Sequence, residues 1–130
     1  MKFVLVALFS YLIGSIPFSY IIAKIFFKKD IRSMGSGNPG TTNVFRNFGA
    51  LAGCFCLFLD MAKGLVAVYF SMFFLGEKYA LTALVFVVLG HIFSIFLKFK
   101  GGKGVATSAG ALFAYDLRVF LCLLILFLIV

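Results

Sequence analysis

Charged residues are scarce in this sequence: they make up 12% of the chain, about half their share in an ordinary soluble domain. Hydrophobic residues reach 64%. This composition excludes a water-soluble domain and indicates a protein whose solvent is lipid. The long apolar runs also lack the alternation that a barrel strand requires. Because backbone polar groups must be paired inside hydrocarbon, we predict an all-α fold, a polytopic transmembrane helix bundle.

Metal-ligand and disulfide patterns are missing too. Cys54, Cys56 and Cys122 lie inside apolar stretches, with no second cysteine pair or histidine at metal-ligand spacing. We interpret them as small apolar packing residues and expect neither a metal nor a cofactor. The apolar run at the N-terminus also continues past Pro17 without a small-x-small cleavage site. Residues 1–27 are therefore predicted to form a retained first helix rather than a signal peptide.

The apolar runs predict the spans, since about 20 apolar residues cross a bilayer. By this measure the sequence has three full spans, the first kinked at Pro17, then a shorter small-residue span and a final truncated one. They cover residues of about 3–27, 51–75, 80–97, 104–115 and 119–130. The last run has no polar flank at its far end, so we expect this single transmembrane domain to be incomplete at the C-terminus.

Basic residues are concentrated in two segments between the spans. The net charge of +8 is compatible with nucleic-acid binding, but the twelve Lys and Arg form neither one face nor a tail, so no nucleic-acid partner is expected. The basic segments are residues 28–47 and 98–103, whereas the opposite turn carries only Lys78. The positive-inside rule predicts that both basic loops are cytoplasmic and that the N-terminus lies outside, although Lys2 argues weakly for the reverse.

The first basic loop has a pattern suited to an anion. Gly35 to Gly40 matches the dinucleotide pattern G-x-G-x-x-G, but no strand precedes it, and we reject that fold. Asn38 and Pro39 suit the N-cap and first position of a helix, whose free N–H groups favour an anion. Such a helix would group polar side chains at three- and four-residue spacings: Thr42, Asn43, Arg46 and Asn47. The alternative is a solvated loop helix that merely obeys the positive-inside rule.

The second basic loop, residues 98–107, places three glycines and Lys103 at the start of the small-residue helix. Glycines let a backbone wrap closely around a ligand, and helix-start N–H groups with an ammonium suit a phosphate. Lys103 is followed by Gly104 rather than Ser or Thr, and the Walker A spacing is missing, so ATP is not implied. The alternative here is a flexible interfacial turn.

Ionisable residues also occur inside the spans, where they usually face a cavity or a partner. Asp60 and Lys63 are one helical turn apart beside Gly64, and His91 follows Gly90 in the third span. A simple ion pair between Asp60 and Lys63 is as good an interpretation as a substrate-facing site. A lone histidine commonly satisfies a buried hydrogen bond. All these motifs fall on the predicted cytoplasmic half, so together they indicate a phosphorylated ligand.

At these motifs the chain resembles the bacterial acyl-phosphate-dependent glycerol-3-phosphate acyltransferases, membrane enzymes that make lysophosphatidic acid in phospholipid synthesis. The resemblance extends over nearly the whole chain, through Tyr11–Pro17, Gly35–Arg46, Asp60–Gly64, Gly90–His91 and Phe99–Thr107. The family usually has Pro and Gly where this chain has Ser94 and Lys98. It also continues to a third cytoplasmic motif, with His, Asn and an acidic residue, that this sequence does not contain.

The resemblance implies acyl transfer from acyl phosphate to glycerol 3-phosphate, at the cytoplasmic face of a bacterial inner membrane and surrounded by membrane lipid. We expect catalytic roles for Ser36, Arg46 and Lys103, which would hold phosphate and polarise the acyl carbonyl. The remaining motif residues are expected to bind substrate: Asn38, Thr41, Asn43, Asp60, Lys63, His91, Gly101, Gly102, Gly104 and Thr107.

Residues that the motifs lack indicate which acyl donor is used and which group accepts the proton. Phe96 stands five residues after His91, so the His-x-x-x-x-Asp motif of coenzyme A or carrier-protein acyltransferases is absent, which favours acyl phosphate as donor. No side chain stands out as general base, and the resemblance implies that a substrate phosphate oxygen accepts the proton, with His91 in reserve. The alternative function is a non-enzymatic membrane protein, such as half of a small anion transporter or an interaction subunit that dimerises through Gly and Ala faces.

Overall fold

The computed structural model describes residues 1–130, and its regular structure is entirely helical. It has seven α-helices: α1 (Lys2–Ser15), α2 (Phe18–Phe27), α3 (Thr41–Phe48), α4 (Ala50–Leu75), α5 (Ala80–Ile92), α6 (Val105–Tyr115) and α7 (Leu117–Ile129). Short 3₁₀ turns lie at Ile31–Ser33, Glu77–Tyr79 and Ile95–Leu97. Three stretches are long and apolar enough to cross a membrane: Lys2–Phe27, Ala50–Leu75 and Glu77–Leu97. The predicted all-α membrane bundle is confirmed.

The first span is two helices rather than one kinked helix. α1 ends at Ser15 and α2 begins directly after Pro17, which has no N–H to continue the helical hydrogen bonds. The break takes the carbonyls of Ser15 and Ile16 out of the regular helical hydrogen bonds, and side chains from other segments bind both. The Ser94 hydroxyl donates to the Ser15 carbonyl, and the Lys63 ammonium donates to the Ile16 carbonyl at 2.8 Å. An unpaired carbonyl in hydrocarbon costs several kcal/mol, so these two contacts stabilise the break.

The helix of the third span ends five residues before the predicted boundary of 80–97. α5 stops at Ile92, and the chain continues through the 3₁₀ turn at Ile95–Leu97. Lys98 and Phe99 then adopt left-handed backbone conformations, with φ of 54° and 63°, which turn the chain back towards the end of α5. The apolar sequence continues beyond Ile92, which is why hydrophobicity alone overestimates the length of the helix.

The last helix begins two residues before the predicted start at 119. The Asp116 side chain caps α7 by accepting from the backbone N–H groups of Arg118 at 2.8 Å and Val119 at 3.4 Å. Asp116 therefore starts this helix instead of merely ending the one before it. None of the residues in α7 is buried.

Small residues form the interior of the bundle, and large apolar side chains cover its surface, as lipid requires. The helices pack most closely as two pairs, α1 with α5 and α4 with α6. At the α4–α6 crossing, a Cβ atom on Gly64 would meet the Thr107 carbonyl oxygen, and one on Gly110 would meet the Met61 carbonyl oxygen. The α4–α6 pair therefore packs backbone against backbone, and the same holds for α1 and α5 at Gly14 and Gly90.

Gly64→Ala is expected to destabilise the protein by about 1–3 kcal/mol, because the added methyl group meets the backbone of α6 and not a flexible side chain. Thermal unfolding of the complete protein in detergent measures the effect. Val66→Ile, at an exposed position of α4, is the matched control and should unfold like the parent. An unchanged unfolding temperature for Gly64→Ala would show that α4 and α6 have room to separate.

Candidate active site

The first basic loop does not begin a helix where the sequence predicts it. Asn38 and Pro39 lie outside α3, which starts at Thr41 with Gly40 at the N-cap and no side-chain cap. The prediction of an Asn38 cap was wrong. The physical reason lies further along the chain, because the Asn43 amide donates to the Asn38 carbonyl at 3.0 Å and holds this residue in the loop.

Asn43 organises the whole loop from a buried position. Its amide nitrogen also donates to the carbonyls of Ile31 at 3.2 Å and Met34 at 2.9 Å. Its side-chain oxygen accepts from the Ser36 backbone N–H at 3.3 Å and from the Asn47 amide at 2.9 Å. The polar atoms of Asn43 are thus engaged with the protein, and they shape the surface that Ser36 presents.

The glycine loop folds back on the end of α5. Gly101 donates its N–H to the Ile92 carbonyl at 2.8 Å, and Gly102 donates to the His91 carbonyl at 3.2 Å. A side chain at Gly101 would collide with the His91 carbonyl, and one at Gly102 would collide with the His91 imidazole. Gly104, with a left-handed φ of 84°, is the N-cap of α6. The loop is therefore an ordered backbone cradle attached to α5, which disfavours the alternative of a flexible turn.

The two basic loops meet around a polar cavity of about 160 Å³, here called the anion cavity. Its lining comes from the first loop and α3, from α4, from the end of α5, and from the glycine loop with the first turn of α6. The lining residues are Ser36, Asn38, Gly40, Thr41, Thr42, Asn43, Arg46, Asp60, His91, Lys103, Gly104, Val105 and Ala106. Its volume is below the range of about 300–1,000 Å³ that suits drug-sized ligands, so the cavity suits a small polar group.

The positive charge of the anion cavity is not neutralised by ion pairs. Arg46 and Lys103 border the cavity, and neither forms an ion pair or a side-chain hydrogen bond with the protein. Arg32 is different, because its guanidinium binds the Asp30 carboxylate at 2.8 Å. This hydrogen-bonded guanidinium lowers the pKa of Asp30 to about 2, so the pair stays ionised at physiological pH. Of these three cations, Arg46 and Lys103 are the ones left to bind an anion.

Asp60 and Lys63 form a buried ion pair at the inner wall of the anion cavity. Their charged atoms are 2.9 Å apart, and their side chains are 1% and 3% exposed. The Thr41 hydroxyl donates to the second Asp60 oxygen at 3.4 Å, and His91 Nδ1 lies 3.6 Å from the first. The pairing that the sequence left open is therefore present, although Asp60 also borders the cavity.

Comparison with known proteins identifies the family. A family model described as glycerol-3-phosphate acyltransferase matches residues 4–130. The chain belongs to the glycerol-3-phosphate acyltransferase family. It is 50% identical to glycerol-3-phosphate acyltransferase 2 of Lactobacillus johnsonii, over 96% of this chain and 59% of that protein. It is 45% identical to the Staphylococcus haemolyticus enzyme, over 98% of this chain and 67% of that protein. The resemblance stated from the motifs is confirmed.

Solved structures give the same family. The crystal structure of PlsY (YgiH), an integral membrane glycerol 3-phosphate acyltransferase, in its glycerol 3-phosphate form matches with a TM-score of 0.82 and 40% identity. The match covers 94% of this chain and 62% of PlsY. The lysophosphatidic acid form of PlsY matches with a TM-score of 0.79 and 39% identity. The chain thus spans about six tenths of the length of these family members.

The structure shows what the two departures from the family pattern change. Lys98 stands where the family usually has Gly, and its φ of 54° is left-handed, a conformation that costs a residue with a Cβ about 1–2 kcal/mol. Ser94 stands where the family usually has Pro, and its φ of −59° is one that proline also adopts. The Ser94 hydroxyl adds a contact that proline lacks, to the Ser15 carbonyl.

Most of the predicted site residues come together at the anion cavity: Ser36, Asn38, Thr41, Asn43, Arg46, Asp60, His91, Lys103 and Gly104. Three others border a smaller neighbouring cavity: Lys63, Gly101 and Gly102. Thr107 borders neither, and its buried hydroxyl has no hydrogen-bond partner. Thr42, which the sequence grouped with the polar residues of the first basic loop, also lines the cavity, and three lining residues were missed: Gly40, Val105 and Ala106. Val105 and Ala106 form the first turn of α6, and their position directly after the glycine loop could have identified them from the sequence.

Asn43→Asp is expected to loosen the first basic loop, because a carboxylate cannot donate to the carbonyls of Ile31, Met34 and Asn38. An unsatisfied buried polar group costs about 1–3 kcal/mol, so hydrogen exchange at amides 34–38 should be about tenfold faster or more. Hydrogen exchange with mass spectrometry on the complete protein in lipid nanodiscs measures this rate. Asn47→Asp, which removes only the bonds to Asn43, is the control. Equal protection in the parent and both variants would show that Asn43 does not order the first basic loop.

Proposed function

We propose that the complete protein transfers an acyl group from acyl phosphate to glycerol 3-phosphate, giving lysophosphatidic acid and inorganic phosphate. The observation that carries the proposal is the anion cavity, which two unpaired cations from two separate loops border together. Family membership supports it, since the relatives carry the name glycerol-3-phosphate acyltransferase. The activity is proposed for the complete protein because this chain spans 59% of the first relative.

The chemistry needs two anion positions, because donor and acceptor each carry a phosphate. We assign one phosphate to Lys103 and the glycine backbone, and the other to Arg46 and Ser36, which also polarise the acyl carbonyl. A hydroxyl oxygen of glycerol 3-phosphate attacks the acyl carbon, and the bond from that carbon to the phosphate oxygen breaks. The hydroxyl proton passes to a phosphate oxygen of a substrate. The protein then contributes position and positive charge, without a separate base.

The reserve base is poorly placed for this task. The Nδ1 atom of His91 faces Asp60, and its Nε2 atom lies against Gly102. A general base must reach the proton that it removes, and both imidazole nitrogens of His91 face protein groups. This geometry favours the substrate phosphate as proton acceptor.

The acyl chain is assigned to the lipid-facing surface. The anion cavity is small, and of its lining residues only Val105 and Ala106 are hydrophobic. A fatty acyl chain therefore fits better against the exposed aromatic and aliphatic side chains of the bundle. There it can stay in the lipid, so the protein needs no separate pocket for it.

The non-enzymatic alternative loses part of its support from the packing. The glycine faces that could serve dimerisation are used inside the chain, at the contacts of Gly64 with Thr107 and of Gly90 with Tyr11. One experiment separates the two functions: membranes containing the complete protein are given acyl phosphate and glycerol 3-phosphate, and liposomes are tested for phosphate flux. Lysophosphatidic acid production supports the enzyme, and flux without production supports a transporter.

Lys103→Ala and Arg46→Ala are each expected to lower acyl transfer by the complete protein by about a hundredfold or more, the usual effect of removing a group that stabilises transition-state charge. Lysophosphatidic acid formation at substrate concentrations below KM measures the loss. Arg46→Lys should restore only part of the rate, because an ammonium lacks the planar fork of the guanidinium.

Lys78→Ala is the matched control for these substitutions. It removes an exposed lysine at the opposite end of the bundle and should leave acyl transfer unchanged. Near-normal activity of Lys103→Ala at low substrate would contradict the phosphate role of the glycine loop.

We further propose that the anion cavity faces the cytoplasm at a bacterial inner membrane. The rings of Phe3 and Tyr79 lie 4.6 Å apart, so the start of α1 and the turn carrying Lys78 share one end of the bundle. The basic loops, with Lys29 and Lys100, share the other end. The positive-inside rule assigns that basic end to the cytoplasm.

Cysteine labelling tests this orientation in the complete protein after Cys54, Cys56 and Cys122 have been replaced. Single cysteines at Lys29 and Lys100 should resist an impermeant reagent in intact cells and react after the cells are opened. A cysteine at Lys78 should react in intact cells. The opposite pattern would place the cavity outside.

A further inference from the structure

The two unpaired cations of the anion cavity are attached to different helices. Arg46 lies on α3, which is fixed on α4 because the Phe45 ring fills the space beside Gly53. Lys103 lies between Gly102 and Gly104, and both of these glycines contact residues of α5. The glycine loop also leads directly into α6, which packs on α4. The distance between the two cations therefore depends on how α4, α5 and α6 are placed relative to one another at this end of the bundle.

The ion pair of Asp60 and Lys63 is the charged contact that joins these parts. The Lys63 ammonium lies 2.9 Å from Asp60 and donates to the Ile16 carbonyl at 2.8 Å. Asp60 in turn accepts from the Thr41 hydroxyl at the start of α3 and lies 3.6 Å from His91 Nδ1 at the end of α5. One pair thus contacts four segments: the break after α1, the start of α3, α4 itself, and the end of α5.

The burial of this pair argues against direct substrate binding. The Lys63 side chain is 3% exposed and does not border the anion cavity. Asp60 borders the cavity, but its two oxygens face Lys63, His91 and Thr41, which are all protein groups. A buried ion pair is commonly no more stabilising than apolar residues of the same volume, so stability alone is a weak reason for its presence.

We infer that Asp60 and Lys63 are positioning residues that set the separation between the Arg46 and Lys103 sides of the anion cavity. The inference rests on the proposed function, in which both phosphates must be held at once in a reactive arrangement. Each side still carries its own cation without the ion pair, so each phosphate still binds. Loss of the pair lowers the rate, because a misplacement of about 1 Å costs about a hundredfold.

The informative variant removes both charges together. A single substitution leaves one buried charge without its partner, which strongly destabilises the folded protein. Asp60→Asn with Lys63→Met keeps the shapes of both side chains and leaves no unpaired charge. In the complete protein, kcat should fall at least tenfold, while KM for acyl phosphate and for glycerol 3-phosphate stays within threefold. Glu77→Gln with Lys78→Met removes the same two charges at the opposite end and should leave kcat and both KM values unchanged.

The kinetic outcomes decide between roles. A tenfold rise in KM with an unchanged kcat would overturn the inference, because Asp60 and Lys63 would then bind substrate. Parent-like kinetics in a folded double variant would overturn it too. If the double variant does not fold, Lys63→Arg decides, because it keeps the charge but has a longer, planar head. Lys63→Arg should lower kcat at least threefold with both KM values kept, and parent-like kinetics would overturn the inference.

A distance measurement tests the inference without acyl transfer. Spin labels at Leu51 and Lys100, which are exposed on the two sides, report the separation of α4 from the glycine loop. The distance distribution should broaden or shift in the Asp60 and Lys63 double variant, and should stay parent-like in the Glu77 and Lys78 control. If the double variant does not fold, the same change is expected in Lys63→Arg. An unchanged distribution would overturn the positioning role. A parent protein without acyl transfer would refute the proposed function alone, and the distance result would still decide whether the ion pair sets the separation.

Discussion

Backbone polar groups inside a bilayer must find their hydrogen-bond partners within the protein, because hydrocarbon offers none. The break at Pro17 takes the carbonyls of Ser15 and Ile16 out of the regular helical hydrogen bonds of the first span. Ser94 and Lys63 bind these carbonyls from two other segments. The first span is thereby tied to α4 and to the segment after α5, which are two of the elements that line the candidate active site. The contacts that stabilise the helix break at Pro17 therefore also hold elements of the candidate active site in position.

Close helix packing makes these contacts possible. Association of helices in lipid gains little from the hydrophobic effect, so it depends on short distances and on many weak dispersion contacts. Gly110 against Met61 and Gly14 against Val87 bring backbones into contact at the two main crossings. Large side chains would keep these backbones apart, and the protein places them towards the lipid instead. The resulting frame is dense, so side chains such as Lys63 reach their partners at fixed distances.

Charge serves three separate purposes in this chain. Asp30 and Arg32 pair at the surface, where such a pair contributes little to stability and leaves no net charge to attract a ligand. Asp60 and Lys63 pair in the interior, where each would be costly alone. Arg46 and Lys103 remain unpaired beside a water-accessible cavity. The positive charge beside the cavity is therefore that of Arg46 and Lys103, which the fold keeps out of ion pairs.

Local sequence patterns predicted the membrane class, the approximate spans and the two basic loops, because hydrophobicity and charge act through solvent at each position. They also predicted a site at Arg46, Lys103 and the glycine loop, since phosphate binding requires such residue types, and the structure brings Arg46 and Lys103 to one cavity. The start of α3 was predicted wrongly at Asn38, because the preference of a local cap competes with a hydrogen bond from Asn43 that no cap rule includes.

The sequence by itself determined that this chain is a helical membrane protein with basic loops suited to an anion, because those properties are sums of local preferences. Only the tertiary structure decided that Asp60 pairs with Lys63, that Lys63 closes the break at Ile16, and that the end of α5 receives the glycine loop. Those contacts join residues far apart in the chain, and they depend on helix positions that are set by packing across the whole bundle.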